Sequence, residues 1–465
     1  MKGKFGRDLT VGSIPRHLLS ISIPMLIANF LQVLYNLVDA MWVGNQVGQN
    51  ALGAVGVSFY ITFILIGISS GATIATTILV AQYYGAKDYD MVEKVVNNSF
   101  SISLIISVIL SSAGILLSDS ILRWMSTPDE ILPLASSYLK IMLAGFIFSF
   151  LSMLVTSILR GIGDTITPLA FLAIGVTINI VLDPVLIIGI GPFPRLGVNG
   201  AAYASVIATV IAFFAGLVYL NRKNHIIAFK PKKLSLNKDI TFTILKIGLP
   251  SMIQQTLVSI GMLFISSYVN AFGKSATSAF AAAGRIDSIA FMPAMSLGMA
   301  ASALTGQNLG ANKPERVKEI FKWGVIMTSV ITIIMSIIAV SAPSFLLGLF
   351  GSDTDKTILD IGISYLRIVG ASYILFAVMF IVNGIINGAG QTLITMVFSL
   401  FSLWIVRVPL AKYLSGTHLG LNGIWISMSI SFGFTMAVSL IYYISGKWRN
   451  VVIKQRQPKP VAEPE

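Results

Sequence analysis

Asp39 and Asp183 each sit inside a long apolar run, in NFLQVLYNLVDAMWVG (29–44) and TINIVLDPVLI (177–187). Asn29, Gln32, Asn36 and Asp39 are spaced three, four and three apart, which on a helix puts all four on one face. That polar stripe ends in a carboxylate, and Gln32, Tyr35 and Asn36 along it are expected to line a substrate cavity. Asn179 precedes Asp183 by one helical turn, and Pro184 frees the carbonyl of Ile180 as a further acceptor. If Asp39, Asn179 and Asp183 gather, their oxygens suit a hard cation such as Na⁺. Equally, two desolvated carboxylates in contact disfavour double ionisation, so one would hold a proton. An ionisable side chain inside a hydrocarbon-spanning helix costs at least about 2.5 kcal/mol, so it is a functional candidate by default. The competing reading makes each aspartate a structural hydrogen-bonder, with Asp183 repairing a proline kink.

The surrounding chain is that of a membrane protein. Of 465 residues, 55% are hydrophobic and 11% charged, and runs long enough to cross a bilayer recur from end to end. The net charge of +13 therefore points to lipid head groups and the positive-inside rule, not to nucleic acid. There is no cysteine, which excludes disulfides and thiolate chemistry, and His17, His225 and His418 are dispersed. The basic start, MKGKFGRDLT, superficially resembles a secretion signal, but the apolar run after it is too long and lacks a cleavage pattern.

About twelve spans are expected. The first half gives 14–43, 52–81, 95–117, 132–158, 166–190 and 198–220. The second gives 243–270, 279–305, 319–341, 358–386, 393–414 and 420–445. The fold class is all-α, with two parallel six-helix repeats around a central cavity. Residues 1–221 form an N-lobe, 222–242 a basic linker, 243–446 a C-lobe and 447–465 a disordered tail. Lys87 and Lys94, then Lys313, Arg316, Lys318 and Lys322, then Lys447 to Lys459, mark the cytoplasmic side, where both termini are expected. A multi-pass protein of the cell membrane, monomeric, is the resulting picture.

An internal repeat of about 226 residues supports the two lobes. SIPMLIANF pairs with GLPSMIQQT, AQYYGAKDYDMVEKV with GQNLGANKPERVKEI, ILRGIGDTITP with IINGAGQTLIT, and LGVNGAAYAS with LGLNGIWISM. Repeats of equal orientation suit alternating access, one bundle rocking against the other around a central site.

Motifs for an energy source or for covalent chemistry are lacking. Gly273, Lys274 and Ser275 mimic a phosphate loop, but Tyr268 stands where its first glycine belongs; RGIGD (160–164) reads as a tight turn. No nucleophile, metal constellation or nucleotide motif supports an enzyme, and no cofactor is expected beyond a coupling ion. In the second half Asp287 is a cavity candidate, or else a cap or an arginine partner, while Arg367 and Arg407 read as structural or snorkelling cations. Gln254, Gln255, Asn383 and Asn387 could line the cavity or join helices, with Gln255 and Asn383 placed in the cavity. Met292, Met295 and Met299 follow helical spacing; packing is their default, but Met295 also suits a pocket for differently shaped ligands.

Taken together, the Pro24 segment leading to Asp39, the AQYYGAK and GQNLGANK loops, the LRGIGDT and NGAGQT turns and LDP followed by GVNGAAYAS resemble the multidrug and toxic compound extrusion (MATE) transporters. Asp39 and Asp183 look like the DinF-like and archaeal branch. The resemblance implies export of amphipathic, often cationic organic compounds in exchange for Na⁺ or H⁺. It also implies a first-lobe cation site of Asp39, Asn179, Asp183 and Ser205, with Thr156 standing where members often carry Asn. The seventh and tenth spans lack the acidic residues of the NorM-like branch, which puts coupling in the first lobe only. An ion entering from outside would engage Asp39 and Asp183, repack the first helix and expel substrate. A flippase for lipid-linked saccharides, or an exporter of one specific metabolite, is the alternative; a flippase would need a more cationic cavity.

Overall fold

The computed structural model describes residues 6–222, 234–349, 355–449 and 451–453. The first lobe is built from α1 (Ile14–Gln46), α2 (Gln49–Gly85), α3 (Tyr89–Trp124), α4 (Leu132–Gly161), α5 (Ile166–Pro184) and α6 (Val198–Arg222). The second comprises α7 (Lys238–Asn270), α8 (Lys274–Gly310), α9 (Pro314–Ser341), the short α10 (Pro343–Gly348), α11 (Lys356–Ala371), α12 (Tyr373–Gly388), α13 (Thr392–Leu400), α14 (Val408–Ser415) and α15 (Leu421–Ile444). Among the described residues, eleven helices are long and apolar enough to cross a membrane, and a bent pair makes the twelfth span.

That bent pair corrects the expectation of one helix over 358–386. α11 and α12 meet at Ser372 at an angle of 46°. Gly370 and Ser372 bracket the break, and the Ser372 hydroxyl donates to the Val369 carbonyl at 2.6 Å, capping the first segment. Two other spans change winding without breaking. α5 runs on through a π turn, Val185–Gly189, immediately after Pro184, and α13 joins α14 through a π turn, Phe401–Arg407, just before Pro409. Proline removes one ladder donor, and the wider turn is how the helix absorbs the loss.

The division into lobes is crossed by α1 and α7. Ile14, Leu18, Ile21 and Met25 of α1 are buried with Leu297, Ala301, Ile381 and Ile385 of the second lobe. Reciprocally, Ile240, Ile244 and Ile247 of α7 lie in a core with Ile78, Val92 and Ile158 of the first. Each crossing helix thus has one half in each bundle, with Pro24 inside α1 and Pro250 inside α7.

The lobes meet at the end that carries residues 6–13 and 451–453 and part toward the other. A Cβ on Gly85 would lie 2.0 Å from the carbonyl oxygen of Gln307, so α2 and α8 touch backbone to backbone there. Gly56 lies 29 residues earlier (85 − 56), about eight turns and so on the same face of α2; a Cβ there would meet nothing within 4 Å.

Two boundary expectations also shift. α7 begins at Lys238, capped by the Asn237 side chain, inside the stretch read as linker; 223–233 lie outside the described residues. The stretch 447–453 was expected to be a disordered tail, yet its described residues are packed: Trp448 and Ile453 are buried, and Trp448 stacks on Tyr443 at 5.5 Å. Burial of these two apolar side chains is what holds it; 454–465 lie outside the described residues.

Candidate functional site

Asp183, Asn179 and Ser205 are 0%, 1% and 6% exposed, so these polar groups have been taken almost wholly out of solvent. One turn apart on α5, Asn179 donates its side-chain amide to Asp183 Oδ1 at 3.2 Å. The same nitrogen reaches Ser205 Oγ on α6 at 3.4 Å, and that hydroxyl is joined to the Tyr35 hydroxyl on α1 at 2.8 Å. Asp39 stands one turn beyond Tyr35, half-buried and near enough to Asp183 for their charges to interact. Tyr138 of α4 is buried beside them and within reach of the charges on both aspartates.

What distinguishes this cluster is its unsatisfied oxygens. Asp39 Oδ1, Asn179 Oδ1 and Asp183 Oδ2 are all buried with no hydrogen-bond partner. A buried acceptor left unpaired costs about 1–3 kcal/mol, more when charged, so three together form a poor structural node and a good cation or proton receptor. The donor set is all oxygen, which fits Na⁺ or H⁺ and not a soft metal. Among the described residues no group of three or more His, Cys, Asp or Glu gathers as a metal centre.

Other expected positions fall elsewhere. Thr156 is on α4, eleven residues (156 − 145) beyond Gly145, whose Cα packs against Val206 beside Ser205. That is about 16 Å of helix, too far for a shared ion. Asp287 is not a cavity residue: it is buried in the second lobe, where Tyr365 donates to Oδ2 and Tyr373 to Oδ1 at 2.5 Å. Asn383 accepts from Ser439 Oγ at 2.9 Å and so joins α12 to α15. The stripe on α1 also divides. Asn29 donates to Ser296 Oγ of α8 at 3.4 Å, and Gln32 donates to Asn36 Oδ1 at 3.4 Å, both of the latter exposed. Gln255 is exposed, as is Met295 at 46%.

The second lobe answers the first differently. Ser431 stands 226 residues after Ser205, and its oxygen accepts from Arg407 Nε at 2.6 Å. The guanidinium also lies 4.4 Å from the Phe432 ring centre. Where the first lobe offers open oxygens, the second supplies its own cation. Tyr35 and Tyr138 were missed as members of the ion cluster. The repeat could have flagged Tyr138, since Tyr365, which holds Asp287, stands 227 residues later.

Comparison with known proteins agrees with this architecture. The MatE family description matches residues 24–185 and again 250–413, the two matches starting 226 residues apart (250 − 24). "Probable multidrug resistance protein YoeA" of Bacillus subtilis is 34% identical over 425 residues, covering 90% of this chain and 91% of that protein. "Probable multidrug resistance protein NorM" of Thermotoga maritima is 28% identical, covering 96% of each. A structure described as the outward-facing conformation of a multidrug resistance MATE family transporter superimposes with a TM-score of 0.87 at 27% identity, covering 96% of this chain and 98% of that one. A helical membrane protein in two lobes, matched by this family in each of them, is a transporter and not an enzyme: the chain belongs to the MATE, or multidrug and toxic compound extrusion, family.

Proposed function

We propose that this protein is a secondary multidrug exporter that moves amphipathic or cationic organic compounds out of the cell in exchange for Na⁺ or H⁺. The observation that carries the reading is the trio of buried, partnerless oxygens on Asp39, Asn179 and Asp183. An ion taken up there would satisfy all three and draw Asp39, with Tyr35, toward α5 and α6. Because the inner half of α1 is packed in the second lobe, a shift of its outer half is felt across the interface. Coupling follows only if the ion binds the two conformations unequally.

Coupling is assigned to the first lobe alone, since Arg407 already supplies the second lobe with a positive charge at the position repeating Ser205. Exposed amides on Gln32, Asn36 and Gln255 are disfavoured against lipid, which supports their facing a path between the lobes, with Met295 as an adaptable apolar contact. The seam end carries Lys87, Lys313 and Arg316, which supports placing that end in the cytoplasm and the protein in the cell membrane. The transporter is taken to act as a monomer.

The test is efflux of a fluorescent cationic dye from proteoliposomes under a Na⁺ gradient and, separately, a pH gradient, for wild type and Asp39→Asn. Efflux driven by one gradient and lost in the variant is expected. No efflux under either gradient from folded protein would overturn the multidrug reading and favour a narrow substrate or a flippase.

A further inference from the structure

The repeat places a glutamine at the same point of each lobe, Gln82 in AQYYG near the end of α2 and Gln307 in GQNLG near the end of α8. Three residues on, each helix carries a glycine pressed on the other. A Cβ on Gly310 would come 1.9 Å from the Gln82 carbonyl oxygen, and one on Gly85 2.0 Å from that of Gln307. With the helices this close, each glutamine reaches into the opposite lobe. Gln82 Nε2 donates to the Gly388 carbonyl at 3.0 Å, and Gln307 Nε2 donates to the Gly161 carbonyl at 3.0 Å. Both glutamines are 0% exposed.

The other end of each amide holds a terminal segment of the chain. Gln307 Oε1 accepts the amide of Leu9 at 3.0 Å, and Gln82 Oε1 accepts the amide of Val452 at 3.3 Å. The amino-terminal segment is held further by Asn308 on the Leu9 carbonyl (3.2 Å), Lys313 on that of Thr10 (2.9 Å) and Arg316 on that of Gly12 (2.8 Å). At the other segment Val452 presses on Gly390, and Ile453 is 5% exposed. Every polar atom of the two side-chain amides that bonds here bonds across an interface.

We propose that Gln82 and Gln307 are paired gate residues of the transport cycle: each amide clamps the opposite lobe with its nitrogen and one of the segments around Leu9 and Val452 with its oxygen. The lobes can then separate at this end only as both amides give up the opposite lobe, which loosens the terminal segments they hold. Shared buried hydrogen bonds make the release a single event, so the pair sets how much of the population is closed here. The role is positional, and it rests on the alternating-access reading above.

The cysteine-free sequence makes the test direct. Thr10→Cys and Ile453→Cys place buried reporters under the two segments, and maleimide labelling rates are measured on purified full-length protein. Gln307→Leu should speed labelling about tenfold at both reporters, as for loss of one or two buried hydrogen bonds, and so should Gln82→Leu. Gln307→Asn and Gln82→Asn keep the amide but shorten its reach, and they should act in the same direction if a leucine variant fails to fold. Val452→Pro, which removes the amide hydrogen given to Gln82 and also alters the contact with Gly390, should speed labelling at Thr10→Cys on the far side. Faster labelling confined to the segment bonded to the altered residue, or no change at either, would overturn the paired gate. Labelling uses no ion gradient or substrate, so a failed gate and a failed antiport assignment are told apart.

Discussion

The hydroxyls of Tyr35 and Ser205 meet at 2.8 Å, and that bond ties α1 to the carboxylate site held by α5 and α6. Ser205 in turn accepts from Asn179, which donates to Asp183, so a change at Asp183 reaches α1 through two side chains. Tyr35→Phe and Ser205→Ala should each weaken ion binding by about five- to tenfold, near the 1 kcal/mol of one hydrogen bond. Because Ser205→Ala already removes the bond that Tyr35→Phe removes, the double variant should lose little more than Ser205→Ala alone; a full additive loss, measured by ion-dependent thermal shift, would break the chain.

Asp183 is kept at a cost to the fold. Its buried Oδ2 has no partner, so Asp183→Asn, which removes the charge, should leave thermal stability equal or higher while ending ion coupling. A marked fall in the unfolding temperature of Asp183→Asn in detergent would show the carboxylate to be structural.

Asp287 should behave in the opposite sense. Both of its oxygens are bonded to tyrosine hydroxyls, and Phe280, Tyr365 and Trp425 pack around them, with Tyr365 and Trp425 ring centres 4.7 Å apart. Asp287→Ala leaves two phenols buried and unpaired and should cost about 3–5 kcal/mol. Tyr365→Phe should cost about 2 kcal/mol and leave the choice of coupling ion unchanged, read by denaturation and by gradient-driven efflux.

Thr156 separates geometry from family resemblance. Its position eleven residues beyond Gly145 on α4 keeps it out of the cluster. Thr156→Val should therefore leave apparent ion affinity within about twofold, less than the loss of one hydrogen bond would cause. A tenfold loss would bring this hydroxyl back to the ion.

Much of this was legible in the residues. Pairing of Asn179 with Asp183 follows from their four-residue spacing, and the match of Pro24 with Pro250 gave the repeat its offset. The break at Ser372 was not legible, because no proline marks it and the apolar run continues across it. The stripe from Asn29 to Asp39 was right about one helical face and wrong about one destination: α1 passes from the second lobe to the first, so its polar groups meet different partners. Asp287 and Asn383 were placed in the cavity by residue type, yet their partners, Tyr365, Tyr373 and Ser439, come from distant helices that no local spacing reveals. Likewise Gln82 and Gln307 lay in plain sight within matched blocks, but only the crossing at Gly85 and Gly310 shows what they reach.

The most direct measurement is ion movement driven by substrate. Proteoliposomes are loaded with a cationic substrate and given no ion gradient, and uptake of Na⁺ and of H⁺ is followed as substrate leaves, for wild type, Thr156→Val and Asp183→Asn. Coupling is reciprocal, so wild type and Thr156→Val should draw one of the two ions inward, and Asp183→Asn should draw neither. Undiminished ion uptake in Asp183→Asn would contradict a coupling site built on Asp39, Asn179 and Asp183.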